Sequence, residues 1–94
     1  MTSPILISLQ DDYLVIKNIG KSPLTLLEVN IKYEVTVITI EERTALRTVS
    51  FTEKVNKTLK PNEEVKIKTE LKDISHVEIV YKNGNGTFRE IFYV

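Results

Sequence analysis

The sequence predicts an all-β domain, an antiparallel sandwich of about seven strands built from residues 1–94 as a single unit. Three observations predict it. Apolar and polar residues alternate with a period of two along most of the chain, and helical periodicity is hard to find. β-Branched residues, whose stiff side chains suit a pleated surface, are frequent. Gly, Pro, Asn and Asp collect between the alternating runs, where turns need their backbone conformations. A chain of 94 residues fits one domain with one thin core.

The first strand is expected at Pro4 to Leu9, with Ile5, Ile7 and Leu9 on one face, and Asp11-Asp12 turning the chain. The second is Tyr13 to Asn18, with Leu14 and Ile16 in the core. Asn18-Ile19-Gly20-Lys21-Ser22-Pro23 is a dense turn signal. The third strand, Leu24 to Glu41, is the longest. Leu24, Leu26, Val29, Ile31, Tyr33, Val35 and Val37 share an inward face if the phase slips once near Leu27-Glu28, as a β-bulge makes it do.

Glu41-Glu42-Arg43 reads as the hairpin tip, and Thr44 to Val55 as the fourth strand, pairing back antiparallel. The stretch Glu41 to Leu46 is too short to be a helix. Asn56 to Asn62 is expected to be a connection. The fifth strand is Glu64 to Leu71, followed by a turn at Lys72-Asp73. The sixth is His76 to Lys82, with Val77, Ile79 and Tyr81 facing one way. Asn83-Gly84-Asn85-Gly86 suits a type I′ hairpin, and Thr87 to Val94 is the seventh strand.

Composition removes several functions. With no cysteine, the chain offers no disulfide, thiolate nucleophile or thiolate metal site, which fits a reducing compartment or a lineage sparing of cysteine. Thirteen basic residues balance thirteen acidic ones, and lysines are spread among glutamates, so the basic excess that nucleic-acid binding exploits is missing. Apolar runs are far shorter than the roughly 20 residues of a membrane span, and Met1-Thr2-Ser3-Pro4 lacks the pattern of a signal peptide.

Three stretches carry a resemblance. Leu14-Val15-Ile16-Lys17-Asn18-Ile19-Gly20-Lys21-Ser22-Pro23-Leu24-Thr25-Leu26 resembles the "hydrophobic-x-N-x-G-x-S-P-L-x-hydrophobic" segment of small immunoglobulin-like modules. Leu59-Lys60-Pro61-Asn62-Glu63-Glu64-Val65 resembles their "L-x-P-G-E" segment, with Asn62 where Gly is usual. Val77 to Gly86 resembles their closing hairpin. Among such modules the chain is similar to the soluble domains of archaeal pilins and of the archaellum's periplasmic stator subunits. The resemblance implies an immunoglobulin-like sandwich and an extracellular or pseudoperiplasmic setting if the protein is anchored. Otherwise a cytoplasmic setting is expected. These residues form turns, so they speak for fold far more than for function.

Candidate chemistry is sparse. His76 is the single histidine, and Ser75 beside it should point to the opposite face of a strand. The acidic pairs Asp11-Asp12, Glu41-Glu42 and Glu63-Glu64 all fall at turns, where solvated carboxylates are ordinary, and no calcium loop pattern exists. Asn56-Lys57-Thr58 and Asn85-Gly86-Thr87 match the glycosylation sequon. With six asparagines, chance supplies roughly one such match, and Asn56 is the better acceptor of the two. The Asn83 to Gly86 turn leads into a strand, not the helix a phosphate loop requires. No cofactor or metal is expected. With no Trp and tyrosines mostly in strand phases, a sugar-binding surface is disfavoured.

The segment Tyr33 to Ile40 is different. Val35 and Val37 occupy one face, yet Ile38 and Ile40 stand where a half-exposed strand should be polar. The paired strand adds Leu46, Val49 and Phe51 on mixed faces. One reading has the chain itself cover both faces. The other makes Thr36, Ile38, Ile40, Arg47 and Val49 a protein-contact surface, with a second copy of the chain as its expected partner. The leading expectation is therefore a non-enzymatic module of a surface assembly. The alternative is an intracellular or viral accessory protein of a thermophile, whose composition this one matches, binding a host or regulatory factor.

Overall fold

A computed structural model of the chain describes residues 3–38, 40–41, 43–69 and 74–94. These residues form seven strands and no helix: β1 (Ile5–Gln10), β2 (Tyr13–Asn18), β3 (Leu24–Ile38), β4 (Thr44–Leu59), β5 (Glu64–Lys68), β6 (Ile74–Asn83) and β7 (Gly86–Phe92). They make two antiparallel sheets, one ordered β1-β2-β5 and the other β4-β3-β6-β7. The expected fifth-strand end at Leu71, the Lys72-Asp73 turn and Glu42 of the hairpin tip lie outside the described residues.

Alternation decides what the sheets bury between them. Ile5, Leu14, Ile16 and Ile67 come from the small sheet; Leu24, Leu26, Val29, Ile31, Tyr33, Leu59, Val77, Ile79 and Tyr81 come from the large one. Cross-strand pairs Val29–Ile79 and Ile31–Val77 put their side chains on this shared face. Of the four tyrosines, Tyr33 and Tyr81 are core residues, while Tyr13 and Tyr93 are exposed. The opposite face of the large sheet carries Val80 and the half-exposed Ile91 on β6 and β7 but is polar along most of β3 and β4. There Lys32 Nζ donates to Ser50 Oγ (2.7 Å), Thr52 Oγ1 donates to Asn30 Oδ1 (2.5 Å), and Thr25 and Thr58 join their hydroxyls (3.1 Å).

The phase slip expected at Leu27-Glu28 is present. Leu26 pairs with Tyr81 and Glu28 with Val80, so Leu27 is one extra residue relative to β6. On the other side, Leu26 pairs with Lys57 and Glu28 with Lys54, so Val55 and Asn56 oppose Leu27 alone. Asn56 absorbs that extra residue in the left-handed region, φ 47°, which Asn tolerates. The expected connection at Asn56 to Leu59 is therefore strand: the bulge lets β4 continue to Leu59 where uninterrupted alternation could not.

The turns follow the chemistry of their residues, with one correction. Asn62 takes φ 72°, the conformation that makes Gly usual at that position. Asp11 takes φ 55° in the β1–β2 turn. The β6–β7 turn is not type I′: its central residues are Gly84 and Asn85, and the positive φ belongs to Gly86, at 135°. Asn83 Oδ1 accepts the Asn85 amide at 2.7 Å. This side-chain turn organises the loop in place of two left-handed residues.

At the base of the sandwich, Asn18 is fully buried and fully bonded. Its Nδ2 donates to the Leu59 carbonyl (2.9 Å) and the Ser22 carbonyl (3.0 Å), and its Oδ1 accepts the Gly20 amide (2.9 Å). Its own amide donates to the Glu63 carbonyl, and its carbonyl accepts the Asn62 amide. Gly20 keeps this corner tight, since a Cβ there would sit 3.1 Å from Pro4 Cβ and 3.3 Å from Asn18 Oδ1. Asn18→Ala strands the buried Leu59 carbonyl and removes the partner of the Ser22 carbonyl and the Gly20 amide, so a loss of about 1–3 kcal/mol is expected by urea denaturation. A loss below about 0.5 kcal/mol, the size of an ordinary surface change, would contradict this role.

Candidate partner interface on the long hairpin

β3 and β4, of 15 and 16 residues, are much longer than the strands of the small sheet, which have five or six. At about 3.3 Å per residue, β3 runs about 50 Å while the small sheet covers about 20 Å. The molecule measures 53 × 27 × 24 Å. The last residue of β3 to pair with β6 is Tyr33, opposite Ile74. Beyond it, among the described residues, Glu34 to Ile38 pair only with β4, through Thr48 to Thr44. The result is a two-stranded arm, an arrangement only marginally stable in water unless something packs on it.

Cross-strand partners share a face, so the register assigns each side chain of the arm. The face continuous with the core carries Tyr33 with Val49, Val35 with Arg47, and Val37 with Ala45, and Phe51 follows opposite Ile31. The other face carries Glu34 with Thr48, Thr36 with Leu46, and Ile38 with Thr44. The five residues expected to form one surface are thus divided. Thr36 and Ile38 lie on the outer face, Arg47 and Val49 on the inner face, and Ile40 at the tip. Ile38 is 78% exposed, Leu46 71%, and Ile40 fully; Val49 and Phe51 remain about half exposed despite facing inward.

β4 is also a free sheet edge. It ends the large sheet, and among the described residues no strand pairs with its outer side. Only Leu59, at its end, is buried. Arg43 lies 3.8 Å from Glu41 at the tip, an exposed pair worth little. Among the described residues no ion pair forms to Arg47 or to Glu53. Glu53 shares the face of Arg47 by strand alternation alone; what the sequence did not show is that β4 is a free edge where the two could meet a partner.

The remaining candidates resolve into structural roles. Glu63 Oε1 accepts the Lys60 amide (2.7 Å) and closes its turn. The Asp12 carbonyl accepts both the Thr69 amide and its hydroxyl. Ser75 and His76 do not point apart: register between β3 and β6 shifts at this point, with Ser75 the extra residue, and Ser75 Oγ lies 3.1 Å from His76 Nδ1. No carboxylate hydrogen-bonds His76, and no cluster of metal-binding side chains occurs among the described residues. Asn56 is exposed on the β4 bulge. No helix of the described residues is long and apolar enough to cross a membrane. No family model matches the chain, and no curated protein or solved structure matches it either.

One tyrosine stands out. Tyr81 donates its hydroxyl to Glu90 Oε1 at 2.5 Å, beneath Phe88, whose ring stacks on Tyr81 at 5.5 Å. Burial, then the hydrogen bond and the negative charge of Glu90, push the phenol up to about 12. The folded chain keeps a proton that an unfolded tyrosine releases near pH 10. This contribution to stability is therefore complete below pH 10 and lost as the pH rises toward 12. Absorbance titration should show one late phenolate transition that Tyr81→Phe removes and Glu90→Gln moves toward lower pH.

Proposed function

We propose that this domain is a non-enzymatic interaction module that works by presenting its long hairpin to another protein, with a second copy of the chain as the first partner. The observation that carries the reading is the two-stranded arm. It exposes Ile38 and Leu46 on its outer face, and at its root Val49 and Phe51 stay about half exposed on the inner face. Folding alone leaves this apolar area in water, and such patches favour association.

The strand order supports an immunoglobulin-like type. With the seven strands lettered along the chain, one sheet is A-B-E and the other places the fourth strand beside C-F-G, the architecture shared by immunoglobulin and fibronectin-like sandwiches. The turn segments around Asn18 to Pro23 and Leu59 to Glu64 favour a module of the kind found in archaeal surface assemblies.

Sedimentation velocity tests the reading. The native chain should move from monomer toward dimer between about 1 and 100 µM. A variant with Ile38→Asp and Phe51→Asp, which charges both faces, should stay monomeric with an unchanged circular dichroism spectrum. A native chain that is monomeric throughout overturns the proposal.

A further inference from the structure

The outer edge of β4 has an uneven pattern of protection. Sheet edges are kept from pairing by short length, bulges, prolines and charges, lysine above all. β1, β5 and β7 are five to seven residues long. β4 is 16 residues long, and its last third carries Lys54, Lys57 and the Asn56 bulge. The stretch from Thr44 to Glu53 has no proline, no bulge and an unbroken register with β3. Its charges are Arg47 and Glu53 alone. Both stand on the inner face, where their β3 partners are Val35 and Val29. They are six residues apart on one strand, about 20 Å, too far to pair within one chain.

We infer that β4 pairs antiparallel with β4 of a second copy about a two-fold axis through Ser50, joining two four-stranded sheets into one of eight. This rests on the reading of the hairpin as a self-association surface and fixes its register. An axis perpendicular to the sheet keeps inner faces together, so odd residues must oppose odd ones. Of those registers, the one centred on Ser50 puts Arg47 opposite Glu53 of the partner subunit, twice by symmetry. It also sets Val49 against the partner's Phe51 and Thr48 against the partner's Thr52. Centring on Val49 puts Arg47 against phenylalanine, and centring on Phe51 puts it against valine. Centring on Thr48 also puts it against valine, and shifting further in either direction brings Arg47 to Arg47 or to Lys57. The pairing ends where the Asn56 bulge meets Thr44 of the partner subunit, so it covers the whole unguarded stretch and sets Lys54 against Leu46 of the partner subunit.

Charge reversal and crosslinking test the register. Arg47→Glu and Glu53→Arg should each weaken dimerisation at least about tenfold, and the double reversal should restore it to within about threefold. No rearrangement inside one chain produces that rescue. The chain has no cysteine, so Ser50→Cys supplies one thiol per copy. Opposed strand positions lie within disulfide reach, so oxidation should give a covalent dimer. Thr48→Cys and Thr52→Cys should crosslink when mixed and not separately. A native dimer that ignores both charge reversals and does not crosslink at position 50 overturns this register while leaving self-association standing. A native monomer overturns both. If Arg47 instead holds copies apart as an inward-pointing guard, Arg47→Ala strengthens association, and that result also overturns the inference.

Discussion

The fold depends on the buried amide of Asn18. Two of the chain's crossings between sheets, from β2 into β3 and from β4 into β5, pass its side chain. Both crossings leave backbone groups that no sheet ladder can satisfy, and an unpaired buried carbonyl costs as much as a sizeable core contact. Asn18 meets one such carbonyl, that of Leu59, together with the part-buried Ser22 carbonyl and Gly20 amide. Leu24 and Leu59, the pair at the base of the long hairpin, are held just beside it. The hairpin is therefore anchored at one end by a hydrogen-bonded corner and, among the described residues, has no third strand at the other.

Between those ends the hairpin bends by insertion. β3 gains Leu27 relative to β6, and β4 gains a further residue at Val55-Asn56 relative to β3. Extra residues on successive strands increase local twist and coil the sheet. The polar outer face, tied by Lys32–Ser50 and Asn30–Thr52, needs no cover over this stretch. Polarity fails only at the tip, where Leu46 and Ile38 replace hydroxyls and charges on the same face.

What the sequence makes legible depends on whether a backbone event disturbs an apolar pattern. The slip at Leu27 is visible because large apolar residues flank it on both sides and change phase. The second inserted residue is not, because Lys54, Asn56 and Lys57 carry no apolar phase to break, so β4 reads four residues short. Ser75 hides its bulge for the same reason, and the two side chains expected to diverge meet. Asn62 is legible because a left-handed turn position selects Asn or Gly. Asn18 is half legible: its turn is plain, but its burial depends on Leu59, 41 residues away. The contact residues on the hairpin are readable one by one. Their division between faces is not, because it follows from the register.

Magnitudes explain why the edge of β4, more than the apolar tip, sets any association. Cross-strand side-chain pairs contribute about 0.2–1 kcal/mol each, and exposed ion pairs a similar amount. Two symmetric copies of Val49–Phe51 and Arg47–Glu53 do not by themselves offset the several kcal/mol that association costs. A ladder of about ten backbone hydrogen bonds, at about 0.5–1.5 kcal/mol net each, does. The side chains then choose the register and the ladder supplies the affinity. Their small surplus over the cost implies a weak, concentration-dependent dimer. Arg47 is central to that choice. On an inner face otherwise made of Val35, Val37, Ala45 and Val49, a guanidinium disfavours every register that leaves it facing valine or phenylalanine. One residue thereby keeps the edge from indiscriminate pairing while permitting a single specific partner.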